Sequence, residues 1–199
     1  MMEIYLIRHG ATAGTERSCF NGSTDEPLSP AGRGVLCPAE FIPQRVFVTP
    51  LQRTAQTADI LFPGVCQTVV PELREMDFGV FEGRNHGQLA DDPVYQRWLD
   101  SGCELPCPQG EQKVPFSARC CAAFGPMVEQ ALREGRPELT CVLHGGVLMA
   151  LMEGFARPER PYFDWDTEPG TGFLLHADPQ LWAQERRLEY LRPLCFTHH

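Results

Sequence analysis

Short apolar runs at residues 4–7, 46–48, 68–70 and 139–143 have the length and β-branched content of buried strands. Between and after them, apolar or small residues recur at helical spacing. Leu51, Ala55, Ala58, Ile60 and Leu61 predict a helix over 51–61 with one buried side, and 116–132 and 147–155 read the same way. Residues 173–176 and 188–191 predict two further strands, the last at a sheet edge. Strands alternating with helices predict an α/β fold: a three-layer sandwich with a mostly parallel central sheet and helices on both faces, in a single domain over 1–199. Pro38 and Pro43 interrupt the stretch 32–49, so any helix there is expected to be short or broken.

Each of the first four runs leads directly into polar residues suited to chemistry. Residues 4–7 run into Arg8-His9-Gly10, 46–48 into Thr49-Pro50-Leu51-Gln52-Arg53, 68–70 into Pro71-Glu72-Leu73-Arg74-Glu75, and 139–143 into His144-Gly145-Gly146. In parallel sheets the ligand crevice lies beyond the carboxyl ends of the strands. Two histidines, two arginines and a glutamate are therefore expected on one rim. Singly, each has an ordinary reading as a solvated or packed side chain. Together they suit phosphoryl chemistry: guanidinium forks match phosphate oxygens, and Arg8, Arg53 and a protonated His144 form a cationic pocket. The small Gly10, Gly145 and Gly146 let backbone approach the ligand. His9 is placed to attack phosphorus while a carboxyl group protonates the leaving alcohol.

Charge and composition narrow the ligand. The formal net charge is −9 with no Lys/Arg cluster, so no nucleic-acid partner is expected, and any phosphate must be bound locally. No apolar run reaches the roughly 18 residues of a membrane helix, and the N-terminus lacks a basic leader, so no membrane partner and a cytoplasmic location are expected. The nine cysteines form an odd set without a C-x-x-C pair, which favours reduced thiols and no metal site. The terminal His198-His199 pair has the look of a tag remnant and carries no chemical weight. No cofactor is called for, and oligomeric state is not readable.

The segments Arg8-His9-Gly10-Ala11-Thr12, Thr49-Pro50-Leu51-Gln52-Arg53-Thr54-Ala55 and Leu143-His144-Gly145-Gly146 resemble the three signatures of the histidine phosphatase (phosphoglycerate-mutase-like) superfamily. Asn21-Gly22-Ser23-Thr24-Asp25 resembles its substrate-side loop, and Pro108-Gln109-Gly110-Glu111 a segment ahead of its long helix. The resemblance implies that His9 is the phosphate acceptor, that Arg8, Arg53 and His144 hold the phosphoryl group, and that Glu75 is the acid/base, ahead of Asp77 and Glu82. It further implies that Asn21, Gly22, Ser23 and Gly145 bind substrate. Thr15 stands where many members carry a phosphate-binding Asn, and its hydroxyl is expected to substitute.

The implied activity is metal-independent hydrolysis of a small-molecule phosphate ester. Only 68 residues lie between Glu75 and His144, fewer than in the superfamily's mutases, which favours a phosphatase. An inactive binding protein would have a damaged set, yet all five residues are present. The run 71–83 and Phe163-Asp164-Trp165 are similar to the α-ribazole-5′-phosphate phosphatases within the superfamily; a broad-specificity phosphatase or a phosphoglycerate mutase is the alternative. Tyr95 and Trp98 are candidates to stack on an aromatic base, with inward packing as the competing reading. Phe155, Tyr162, Phe163, Trp165 and Phe173 are expected in the core, and His86 and His176 without chemical role.

Overall fold

The computed structural model describes residues 1–198; His199 lies outside the described residues. Seven strands, β1 (Met2–Arg8), β2 (Val46–Val48), β3 (Gln67–Val69), β4 (Glu138–Leu143), β5 (Ala156–Arg157), β6 (Thr171–Ala177) and β7 (Leu188–Cys195), form one sheet in the order β3-β2-β4-β1-β6-β7-β5. The pairs β1/β4, β2/β4, β2/β3 and β5/β7 are parallel; β1/β6 and β6/β7 are antiparallel. The helices are α1 (Ala13–Glu16), α2 (Pro30–Val35), α3 (Gln52–Leu61), α4 (His86–Leu89), α5 (Pro93–Asp100), α6 (Lys113–Arg133), α7 (Gly145–Phe155) and α8 (Pro179–Glu185).

Strand alternation divides the core in two. Ile4 and Leu6 of β1, with Leu139, Cys141 and Leu143 of β4, pack beneath α6 and α7 through Phe116, Phe124, Val147 and Leu148. Tyr5 and Ile7 point the other way, joining Val46, Val48 and Val142 beneath Ala58 and Leu61 of α3. Helices therefore cover both faces of a mostly parallel sheet. Ile4, Leu6 and Ile7 are each at most 1% exposed, worth about 1.5–3 kcal/mol apiece in burial. This clamps β1 in register with β4, Arg8 opposite Leu143, because a slip would drag Arg8 or Glu3 into the apolar layer.

Two edge readings change. The run 68–70 is not a buried strand: β3 is the open edge, with Val69 54% exposed. Nor is β7 an edge, because the two-residue β5 pairs outside it, Ala156 opposite Leu188; so short a strand has no periodic signal in the sequence. The helix in the proline-bearing stretch is indeed short, six residues capped by Ser29, whose Oγ accepts from Gly32 N at 2.8 Å. The nine cysteines are all free thiols. Among the described residues no helix is long and apolar enough to cross a membrane.

Candidate active site

The parallel pairing of β1 with β4 sets the two histidines side by side. His9 N donates to Leu143 O at 2.9 Å, and the rings of His9 and His144 lie 5.2 Å apart, edge to face. His9 Nδ1 is 2.7 Å from Gly10 O, an oxygen that only accepts, so Nδ1 carries the proton and Nε2 is left with its lone pair. The residue bearing that oxygen is itself anchored, since Gly10 N donates to Thr57 Oγ1 at 2.9 Å. Burial, then the charges of Arg53 and Arg8, hold the His9 pKa well below the usual imidazole value. The ring is neutral and oriented, with the Nε2 lone pair free.

His144 is neutral too, which corrects the expectation of a protonated second histidine. Its ring is fully buried; Arg53 Nε–H donates to Nδ1 at 3.3 Å, and Nε2 lies 2.8 Å from Thr49 Oγ1. Burial and the charges of Arg53, His9 and Arg8 push its pKa well below the ordinary value. Arg53 gives its other donors to the loop after α1: Nη1 to Thr24 O at 2.7 Å, Nη2 to Gly22 O at 2.8 Å and to Asn21 O at 3.2 Å. The guanidinium is 0% exposed and stands behind the cavity rather than on its wall.

Glu75 sits on the opposite side, delivered by the turn after β3. Its Oε2 accepts from Gly146 N at 2.9 Å and its Oε1 from Met76 N at 3.0 Å. Gly146 lies in the first turn of α7, where free N–H groups favour an anion. A Cβ on Gly146 would stand 2.5 Å from Glu75 Oε1, so only glycine admits this carboxylate. Burial nevertheless wins over the hydrogen bonds and the arginines and raises the Glu75 pKa above the usual carboxylate value. A buried carboxyl poised to hold a proton suits general acid work.

The three competing acids separate cleanly. Glu82 accepts from Gly22 N (3.1 Å), Ser23 N (2.9 Å), Thr24 Oγ1 (2.7 Å) and Phe78 N (3.0 Å), a loop clamp facing away from the cavity. Asp77 accepts from Gly79 N at 2.8 Å in a turn. Neither lines the cavity; Glu75 does.

A cavity of about 250 Å³ opens over this rim. Of the residues singled out from the sequence, Arg8, His9, Thr15, Asn21, Glu75 and Gly145 line it; Arg53, His144, Gly22 and Ser23 do not. The reason is the clamp just described, which turns the Gly22 and Ser23 amides toward Glu82 and their loop's carbonyls toward Arg53. Thr15 is on the wall with its hydroxyl turned back, accepting from Thr12 N at 2.7 Å in a helix-capping arrangement. Arg8, paired with Asp166 at 3.5 Å and bonded to Thr167 O, has a buried Nε without a hydrogen-bond partner. It is the cation nearest to free for an incoming phosphoryl group.

Of the two aromatic candidates for stacking, one reaches the outer wall. Trp98 lies on it, whereas Tyr95 packs inward against Phe20 and Phe81 with its hydroxyl 3.2 Å from His86 Nδ1. Tyr162 and Phe163, expected in the core, also line the cavity, and Phe163 is 53% exposed. Phe155, Tyr162, Trp165 and Phe173 do join the core packing, and Phe163 alone of the five does not. Lys113, at the start of α6, completes the wall. A wider cleft of about 930 Å³ adjoins it, sharing Arg8, Thr15, Phe20 and Asp166.

Comparison with known proteins places the chain in a family. The chain is 30% identical over 167 residues to the adenosylcobalamin/α-ribazole phosphatase of Salmonella typhimurium (strain LT2), covering 76% of this chain and 78% of that one. Its fold recurs in the α-ribazole phosphatase of Shigella flexneri, with a TM-score of 0.76 at 22% identity over the whole of both chains. It is also similar to the phosphoglycerate mutase of Thermus thermophilus, with a TM-score of 0.67 at 26% identity over 98% of this chain and 99% of that one. The family model for the histidine phosphatase superfamily (branch 1) matches residues 4–171, and the chain belongs to that superfamily.

Proposed function

We propose that this chain hydrolyses phosphomonoesters through a phosphohistidine at His9, with α-ribazole 5′-phosphate as its physiological substrate. The observation that carries the chemistry is the His9 ring, whose Nδ1 proton is spent on Gly10 O so that Nε2 is a lone-pair nucleophile in the same cavity as Glu75. In the first step Nε2 attacks phosphorus, the bond from phosphorus to the ester oxygen breaks, and the Glu75 carboxyl gives its proton to the departing alcohol. In the second, water attacks phosphorus, Glu75 takes up the proton, and the P–N bond breaks to release inorganic phosphate. Arg8 and the first-turn N–H groups of α7 bear the developing charge.

Arg53 and His144 serve in a different way from the simple cationic pocket. Arg53 holds loop 21–24 by three carbonyls and orients the His144 ring, and that ring packs against His9. The pair positions the nucleophile. The substrate assignment is supported by the similarity to the Salmonella typhimurium phosphatase and by an apolar, aromatic outer wall suited to a neutral ring system.

The test is a comparison of kcat/KM, with inorganic phosphate release measured directly, across α-ribazole 5′-phosphate, ribose 5-phosphate, 3-phosphoglycerate and p-nitrophenyl phosphate. A preference of about 100-fold or more for α-ribazole 5′-phosphate over ribose 5-phosphate is expected, roughly 2.7 kcal/mol of transition-state binding from the base. Equal rates for the two would remove the substrate assignment. Interconversion of 3-phosphoglycerate and 2-phosphoglycerate without phosphate release would remove the hydrolase assignment itself.

A further inference from the structure

The outer wall carries one cation besides Arg8, and it is not free. Lys113 Nζ forms an ion pair with the Glu104 carboxylate and lies 5.5 Å from the ring centre of Tyr162 and 5.3 Å from that of Phe163. Its side chain is 16% exposed while that of Glu104 is 51% exposed, so the pair spans from the cavity wall to solvent. Arg8, the other wall cation, is matched in the same way by Asp166. Each positive group that a ligand would meet already has its own carboxylate.

The Glu104 backbone is built to keep that partner in place. Its N–H donates to Ser101 Oγ at 3.2 Å, and its carbonyl accepts at 2.8 Å from Nε2 of Gln112, the residue immediately before Lys113 and α6. The clasp ties the turn after α5 to the start of α6 next to the ion pair. Lys113 itself sits in the first helical turn, where the helix dipole disfavours a cation. Glu104 and the two aromatic faces offset that cost.

We infer that the Lys113–Glu104 pair is a specificity determinant that turns phosphate esters bearing a carboxylate away from the cavity and admits those with an uncharged body. An ester such as 3-phosphoglycerate or phosphoserine brings a second anion into the outer chamber. To bind it, Lys113 would have to leave Glu104 and the aromatic faces, and the Glu104 carboxylate would remain nearby as a like charge. A neutral ring meets no such conflict and packs against the apolar wall to which Trp98, Tyr162 and Phe163 contribute while Lys113 keeps its place. Selection thus works by an unfavourable contact for the wrong substrate as well as by a favourable one for the right one. The inference rests on the phosphomonoesterase reading for its turnover arm only.

Two measurements on full-length protein test it. The first is the ratio of kcat/KM for 3-phosphoglycerate to that for glycerol 3-phosphate, in wild type, Glu104→Gln and Glu104→Gln/Lys113→Met. Glu104→Gln should raise the ratio roughly tenfold, the effect of removing one like charge and freeing one cation near a carboxylate, and the double variant should return it to the wild-type value or lower. The second is calorimetric binding of 3-phosphonopropionate, which carries both anions and needs no turnover; Glu104→Gln should tighten it by a similar factor. An unchanged ratio and unchanged affinity in folded Glu104→Gln would overturn the inference, as would a gain that persists without Lys113. If no ester is turned over but the phosphonate gain appears and depends on Lys113, the selector stands and the hydrolase reading falls.

Discussion

Arg53 Nε–H donates to His144 Nδ1 across 3.3 Å, a contact that acts with the burial of the ring to keep the second histidine neutral. A protonated ring would present an N–H to a guanidinium N–H, so the arrangement holds only while His144 is neutral. His9 is neutral for a parallel reason, burial beside two arginines.

The first prediction is acid sensitivity. Both imidazoles have folded-state pKa values depressed below their usual 6.5, so the unfolded chain takes up their protons first as pH falls. The stability they allow is fully present above about pH 6.5 and is lost as pH drops from there toward their folded values. Each contributes a slope of up to about 1.4 kcal/mol per pH unit within that window. Urea midpoints between pH 5 and 8 should show the fall, and His144→Gln should flatten it. A slope unaltered in that variant would mean that His144 is already charged in the native protein.

The second prediction is a covalent adduct. Rapid quenching during turnover should trap acid-labile, alkali-stable phosphate on the peptide that contains His9, and His9→Ala should abolish both adduct and turnover. Activity should persist in EDTA, since the positive charge assigned to stabilising the phosphoryl group comes from Arg8 and the amides of α7. Phosphate trapped on a cysteine, or activity restored only by a divalent ion, would redirect the chemistry.

Much of the site was legible because it lies where strand ends must put it. Arg8-His9 and His144-Gly145 each follow an apolar run, and parallel pairing of those runs brings the two histidines together whatever the rest of the chain does. What Arg53 does was not legible. Its partners are the carbonyls of Asn21, Gly22 and Thr24, and backbone oxygens leave no mark in a sequence. The Lys113–Glu104 pair was hidden for a related reason, since only the folding of the turn after α5 onto α6 brings an ordinary surface glutamate beside that lysine. Phe163 was misassigned to the core because an aromatic at a cavity rim and one in a core look alike in a short irregular segment.

The third prediction separates the two glutamates. Glu75→Gln should slow hydrolysis of alkyl phosphates by about 10²–10⁴-fold and that of p-nitrophenyl phosphate far less, because nitrophenolate leaves with little protonation. Its raised pKa also makes it the group whose deprotonation ends activity on the alkaline side, so the variant should lose that limb of the alkyl-ester profile. Glu82→Ala should behave otherwise. Losing the acceptor for Gly22, Ser23 and Thr24 should cost roughly 1.5–3 kcal/mol of stability, with no dependence on the leaving group. Leaving-group dependence in a Glu82 variant and none in Glu75→Gln would exchange their roles.

The last prediction concerns Gly146, whose N–H holds Glu75 Oε2 and whose missing side chain leaves room for Oε1. An added methyl group would meet Oε1 at 2.5 Å and the Tyr162 hydroxyl at 3.3 Å. The helix itself would not suffer, since alanine is a better helix former than glycine by about 1 kcal/mol and α7 continues through this position. Gly146→Ala should therefore keep the fold, with at most a modest fall in melting temperature, while pushing the Glu75 carboxyl off its amide. A shift of about 1 Å at a catalytic group can cost on the order of 10²-fold, and the loss should fall on kcat for alkyl esters rather than on KM. Combining it with Glu75→Gln should add little further loss, because both changes remove the same proton delivery. Full additivity of the two, or a loss of fold in Gly146→Ala, would show that the glycine serves packing rather than the placement of the acid.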